Sequence, residues 1–164
     1  MRCELAADQR HTRQHYNTAG ARKGLTQEEK GNISEALKVY KQALLIQPNF
    51  SELNNNVGNI LQKQGNLDEA IDSYKKAITS KPDYADAYNN LGTAELNLEN
   101  ESEAIKSYNK AIKIDPKFVL AYSNLCGLYE RSNQLKKLKE TLNKAENEGL
   151  SGNEEIKFRR GQLN

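Results

Sequence analysis

The sequence predicts an all-α array of helix–turn–helix repeats, and three observations predict it. The prolines of the 164-residue chain, Pro48, Pro82 and Pro116, stand 34 residues apart. Alanines keep the same interval at Ala36, Ala70 and Ala104 and again at Ala43, Ala77, Ala111 and Ala145, as do Tyr40, Tyr74 and Tyr108 and Gly24, Gly58 and Gly92. Between these markers the apolar residues recur at helical spacing. A fixed period of this length is the signature of a repeat architecture. Each unit buries only the stripes that face its neighbours, and stacked units build an extended binding surface in place of a catalytic pocket.

Residues 1–16 form a polar leader with no apolar central stretch, so they are expected to be disordered and are not a signal peptide. Residues 17–50 hold a degenerate first repeat. Its first helix is predicted to be short or frayed, because Gly20, Lys23 and Gln27 sit where aromatic or aliphatic residues stand later. Its second helix, within residues 31–50, is clear. Residues 51–84 give a full unit. Leu53, Val57, Ile60 and Leu61 line its first helix, Gly65-Asn66 punctuates it, and Leu67, Ala70, Ile71, Tyr74, Ala77 and Ile78 line its second. Pro82 closes it, since the residue before a proline is pushed out of helical geometry. Residues 85–118 repeat the pattern. Residues 119–150 are a divergent copy in which Leu138 replaces the small alanine, Leu142 replaces the tyrosine and no proline follows. Residues 151–164 carry Ile156, Phe158 and Leu163 at helical spacing, a capping helix or the truncated first helix of another unit.

Composition narrows the function. A hydrophobic fraction of 37% suits a thin array, and a charged fraction of 28% suits helices with wet outer faces. The net charge of +2 is nearly balanced and its charges are interspersed, which argues against nucleic-acid and membrane-surface partners. No apolar run reaches the ~18 residues of a membrane span. Cys3 and Cys126 are read as reduced thiols, which points to the cytoplasm.

Nothing reads as catalytic. His11 and His15 are spaced to share a helix face, but no carboxylate or cysteine in register completes a metal site. No glycine-rich loop precedes a Lys-Ser/Thr pair, so neither a phosphate cradle nor a cofactor is expected. Glu69 and Glu103 recur at the start of second helices, where they favour the helix dipole.

The pattern Leu91-Gly92, Ala104, Tyr108, Ala111 and Pro116, repeated in phase over residues 31–146, resembles the tetratricopeptide repeat (TPR) family. The resemblance implies a right-handed α-solenoid of antiparallel helix pairs whose first helices line a concave groove. Gly58 and Gly92 are then expected to face Ala70 and Ala104, with the tyrosines filling the gap to the next repeat. Asn54, Glu95 and Cys126 depart from the pattern, standing where an aromatic, an apolar residue and a small glycine are usual.

Residues on the groove face that packing does not need are Asn55, Asn56, Asn59, Asn89, Asn90, Thr93, Ser123 and Asn124, which make up the candidate peptide-binding set. Asn56, Asn90 and Asn124 recur in phase as a ladder of carboxamides, each with two donors and an acceptor for an extended peptide backbone. A similar ladder holds peptides in the TPR arrays of peptide-glycosylating transferases. A compositional leaning toward asparagine would give the same pattern on a merely solvated face. The clamp by which some TPR proteins grip acidic chaperone tails needs lysines and an arginine. Asn59 and Asn90 could match its asparagines, but Asn55, Leu120 and Asn124 occupy the basic positions, so such tails are not expected. Glu52 and Asp86 favour a peptide with basic residues instead.

The primary expectation is a non-catalytic scaffold that binds a protein segment. The alternative is a substrate-recruiting segment of a larger enzyme, as in proteins where TPR arrays precede sulfotransferase or glycosyltransferase domains. Self-association through the terminal repeat would involve Leu142, Ile156 and Phe158.

Overall fold

Each helix of the array stops for a reason its sequence carries. In the computed structural model, which describes residues 19–163, all regular structure is helical. Residues 19–29 belong to α1. It is followed by α2 (Ile33–Ile46), α3 (Ser51–Lys63), α4 (Leu67–Ser80), α5 (Ala85–Asn97), α6 (Glu101–Ile114), α7 (Val119–Arg131) and α8 (Leu135–Asn147). A single 3-10 turn (Leu150–Gly152) then leads into α9 (Glu154–Gly161). The readings made on Cys3, His11 and His15 lie outside the described residues. Helices α2, α4 and α6 each end two residues before a proline, as the sequence requires. None of the described helices is long and apolar enough to cross a membrane.

The turn inside each helix pair repeats one backbone device. Gly31, Gly65, Glu99 and Asn133 stand one period apart, and all have positive φ, at 78°, 81°, 63° and 52°. The next residue's N–H then reaches back to the carbonyl five residues earlier: Asn32 to Gln27 (2.8 Å), Asn66 to Leu61 (2.9 Å), Asn100 to Glu95 (2.9 Å) and Gln134 to Tyr129 (2.8 Å). This is the left-handed closure that satisfies the last carbonyls of a helix. A side chain in that conformation costs ~1–2 kcal/mol. Glu99→Gly is therefore expected to raise stability by about 1 kcal/mol, and the thermal midpoint by ~2–4 °C, in a melt followed by circular dichroism. An unchanged midpoint would mean that Glu99 has compensating contacts.

The chain forms two compact units that join at Pro82–Asp83. In the first, Ala36, Tyr40, Leu53, Ile60, Ala70, Tyr74 and Ala77 are fully buried. The first helix expected to be short or frayed in residues 17–30 covers the described residues 19–29, where buried Gly24 lies against the Tyr40 ring. In the second unit the core gathers Ala104, Tyr108, Ala111, Tyr122, Leu125, Leu138 and Leu142, with Ile156 of α9 inserted into it. The Tyr122 hydroxyl is buried there without a hydrogen-bond partner among the described residues. Cys126 is fully buried, and burial pushes its thiol up to about 12, so it stays protonated.

The expected close approach of Gly92 to Ala104 is present, and the glycines also face the tyrosine rings. A Cβ on Gly58 would lie 2.5 Å from Cε1 of Tyr74, and one on Gly92 would lie 2.8 Å from Cε1 of Tyr108 and 3.2 Å from the Ala104 carbonyl oxygen. The tyrosine ring thus passes beneath the glycine of its own repeat. Tyr108 also belongs to the core shared with Tyr122 and Leu125 of the next repeat, as expected.

Helix α9 is held from both ends. The Asn153 side chain accepts the N–H groups of Glu155 (3.0 Å) and Ile156 (3.3 Å) as an N-cap. Arg159 pairs with Glu130 (2.6 Å) and Glu155 (2.7 Å), and Arg160 pairs with Glu146 (2.7 Å) and donates to Asn143 (2.6 Å). Of the three residues expected at a sticky end, Leu142 and Ile156 are fully buried and Phe158 alone is exposed, at 64%.

Candidate peptide-binding face

The buried tyrosines determine what the first helices can show. Having passed beneath Gly58, Tyr74 places its hydroxyl 2.9 Å from Asn59 Oδ1 and 2.8 Å from Gln62 Oε1. Tyr108, beneath Gly92, meets Thr93 Oγ1 at 3.2 Å, and Thr93 also donates to the Asn89 carbonyl (3.1 Å). Tyr40 donates to Glu28 Oε1 at 2.7 Å, and the Asn56 amide hydrogen-bonds the same phenol. Burial raises the Tyr40 phenol well above its ordinary range, and the hydrogen bond to Glu28 adds to it. Burial alone raises Tyr74. Asn59, Thr93 and Asn56 therefore secure core phenols from the outside, a duty that sequence reasoning did not assign them. The 15-residue spacing of Asn59–Tyr74 and Thr93–Tyr108 was the available signal.

The candidate set divides by burial. Asn56, Asn59, Asn90, Thr93, Ser123 and Asn124 are half-buried, with part of each side chain open to solvent. Asn55 and Asn89 are only 5% and 2% exposed. This corrects their placement on an open groove face: one helical step of about 100° from the half-buried Asn56 and Asn90 turns each of them into the packed side of its helix. Asn89 does join the ladder from beneath. Its Oδ1 accepts from Asn124 Nδ2 at 2.9 Å, linking α5 to α7. In the first unit, Glu52 faces Lys81 at 3.9 Å with both side chains about half exposed, which blunts the acidic edge expected there. Asp86 is exposed at the start of α5. Glu95, at a usually apolar position, is buried and accepts from Asn100 Nδ2 at 3.0 Å, tying the turn to α5.

Comparison with known proteins places this geometry. A family model described as TPR repeat matches residues 28–65 and 58–98, and one described as tetratricopeptide repeat matches residues 85–118. Together they take in more than half of the chain. No curated protein matches the sequence. Among solved structures, a crystal structure of MamA is similar with a TM-score of 0.76 at 24% identity, covering 83% of this chain and 80% of that one. A mutant of the Thermobaculum terrenum O-GlcNAc transferase gives a TM-score of 0.67 at 20% identity, over 71% of this chain and 22% of the transferase. The first TPR of Spaghetti (RPAP3), bound to the HSP90 peptide SRMEEVD, gives 0.69 at 20% identity, over 73% and 94% of the two chains. At these identities the likeness is one of fold.

Proposed function

Since the chain belongs to the tetratricopeptide repeat family, we propose that it is a non-catalytic protein-interaction module that holds an extended peptide segment on the asparagine-bearing faces of its first helices. The observation that carries this reading is the amide pair between Asn124 and Asn89. It commits one N–H of Asn124 and fixes the direction of its carboxamide, so that a donor and an acceptor can meet a peptide backbone at no further ordering cost. Asn90 in the same unit, and Asn56 in the first, recur at the same register with similar partial exposure. The RPAP3 structure shows a protein of this fold engaged with a peptide. The acidic tail in that complex does not suit this chain, which has Asn55, Leu120 and Asn124 where a carboxylate clamp needs cations. The buried free thiol of Cys126 fits a reducing, cytoplasmic setting.

Each amide–backbone bond contributes about 0.5–1.5 kcal/mol, so a few of them give micromolar affinity. The test is titration of a library of labelled extended peptides into the wild type and an Asn56→Ala/Asn90→Ala/Asn124→Ala variant. Binding is expected to weaken at least tenfold while the protein stays folded at the titration temperature, its thermal midpoint lowered only by the loss of the Asn124–Asn89 and Asn56–Tyr40 hydrogen bonds. Equal binding by the two proteins would reduce the ladder to a solvated face.

A second reading rests on the O-GlcNAc transferase likeness, in which the match covers 22% of that longer chain. The chain would then recruit substrate for a catalytic part encoded beyond Asn164. Sequencing the transcript past that codon decides it: an immediate stop codon removes the reading.

A further inference from the structure

A cavity of about 250 Å³ opens between α2, α3 and α4 of the first unit, its lining including Lys41, Leu44, Asn54, Val57, Ser73 and Lys76. The repeat register explains why it is there. Asn54 occupies the position that Tyr88 and Tyr122 hold one and two periods later. In the second unit Tyr122 is fully buried and Tyr88 packs against the core. Asn54 is too short to fill the corresponding space. Its Nδ2 donates to the carbonyls of Pro48 (2.8 Å) and Phe50 (3.0 Å), which turns the side chain back onto the α2–α3 connection.

A cation already stands at the site. Lys110 holds its Nζ 5.8 Å from the centre of the Tyr88 ring. Lys76 falls one period before Lys110 and lines the cavity. The first unit thus keeps the lysine of a cation–π pair and lacks the ring.

We propose that this cavity receives the aromatic side chain of a tyrosine supplied by a partner peptide, laid on Leu44 and Val57 with the Lys76 ammonium over its face. Size supports a single ring. The volume lies below the ~300–1,000 Å³ of sites for drug-sized ligands. It exceeds the ~150 Å³ in which an engineered cavity holds benzene. Tyrosine is favoured over phenylalanine because the lining also includes the exposed carboxylates Glu69 and Asp72, which can accept a hydrogen bond from the phenol. The site is separate from the asparagines of the proposed function.

The test follows the methyl resonances of Leu44, Val57 and Leu61 by NMR during titration with N-acetyl-tyrosinamide, with N-acetyl-leucinamide as the control. Saturable millimolar binding is expected for the tyrosine compound, and at least fivefold weaker binding for the leucine compound. Asn54→Tyr fills the cavity from within and should abolish the response while raising the thermal midpoint. Lys76→Gln, at an exposed position that leaves the fold intact, should weaken binding two- to fivefold. The Asn56→Ala/Asn90→Ala/Asn124→Ala variant should respond like the wild type, which separates this site from the ladder. Equal binding of both compounds, a non-saturating response, an undiminished response in Asn54→Tyr or an unchanged affinity in Lys76→Gln would each overturn the assignment.

Discussion

Replacing Tyr108 with alanine is expected to cost about 3–5 kcal/mol, since it removes a large ring from a packed core. The side chain is 1% exposed, lies beneath Gly92 and meets Thr93 with its hydroxyl. Gly92→Ala should cost about 1–3 kcal/mol by the opposite route, because its new methyl drives into the Tyr108 ring and the Ala104 carbonyl. The two effects concern one contact and should not add. Once the ring is gone, only the Ala104 carbonyl still crowds the methyl, and Gly92→Ala should cost far less in the Tyr108→Ala background. A double-mutant cycle by urea unfolding measures the coupling. Strict additivity would show that the glycine is there for some reason other than the tyrosine.

Alkaline pH should unfold the protein more sharply than its near-neutral charge balance suggests. Burial raises the phenols of Tyr40, Tyr74, Tyr108, Tyr122 and Tyr129, Tyr122 to about 12, where Glu148 and Asp115 add to the effect. Burial raises the Cys126 thiol in the same direction. A group whose pKa is higher folded than unfolded contributes its stability below the unfolded value and loses it as pH rises through the folded one. The urea midpoint should therefore hold from neutrality to about pH 8.5, begin to fall there as the unfolded thiol ionises, and fall steeply above about pH 10 as the phenols follow. The five phenols and the thiol are all shifted in the same direction, so their losses reinforce one another as the pH rises. Midpoints taken across this range at fixed ionic strength, with phenolate absorbance recorded alongside, test it. A midpoint flat through the titration of free tyrosine would contradict the burial of these rings.

The repeat period made the helix pairs legible, because proline and turn residues act locally and do so wherever they stand. Packing partners were less legible. The 16-residue interval between Gly92 and Tyr108 is plain in the sequence, but only the crossing of α5 and α6 shows that the ring takes the space of the missing Cβ. Adjacent asparagines posed a second difficulty. Asn89 and Asn90 are chemically identical, and hydropathy cannot separate a buried carboxamide that has a partner from a solvated one; helix rotation and the bond from Asn124 do. Asn54 was visible as a departure from the tyrosine pattern. That it leaves a cavity followed only from its bonds to the α2–α3 connection.

The last helix closes the second unit with charges more than with apolar contact. Ile156 is its single buried residue, while Arg159 and Arg160 fasten it to α7 and α8 through carboxylates that are partly open to water. Such attractions weaken as salt shortens the Debye length, which is ~10 Å at 0.1 M and ~3 Å at 1 M. The Arg159 and Arg160 pairs are short and partly shielded from water, so salt should weaken them less than it weakens the exposed pairs Lys38–Glu35 and Lys106–Glu103. Hydrogen exchange of the α9 amides measured against salt concentration reports how firmly charge alone holds this end of the protein.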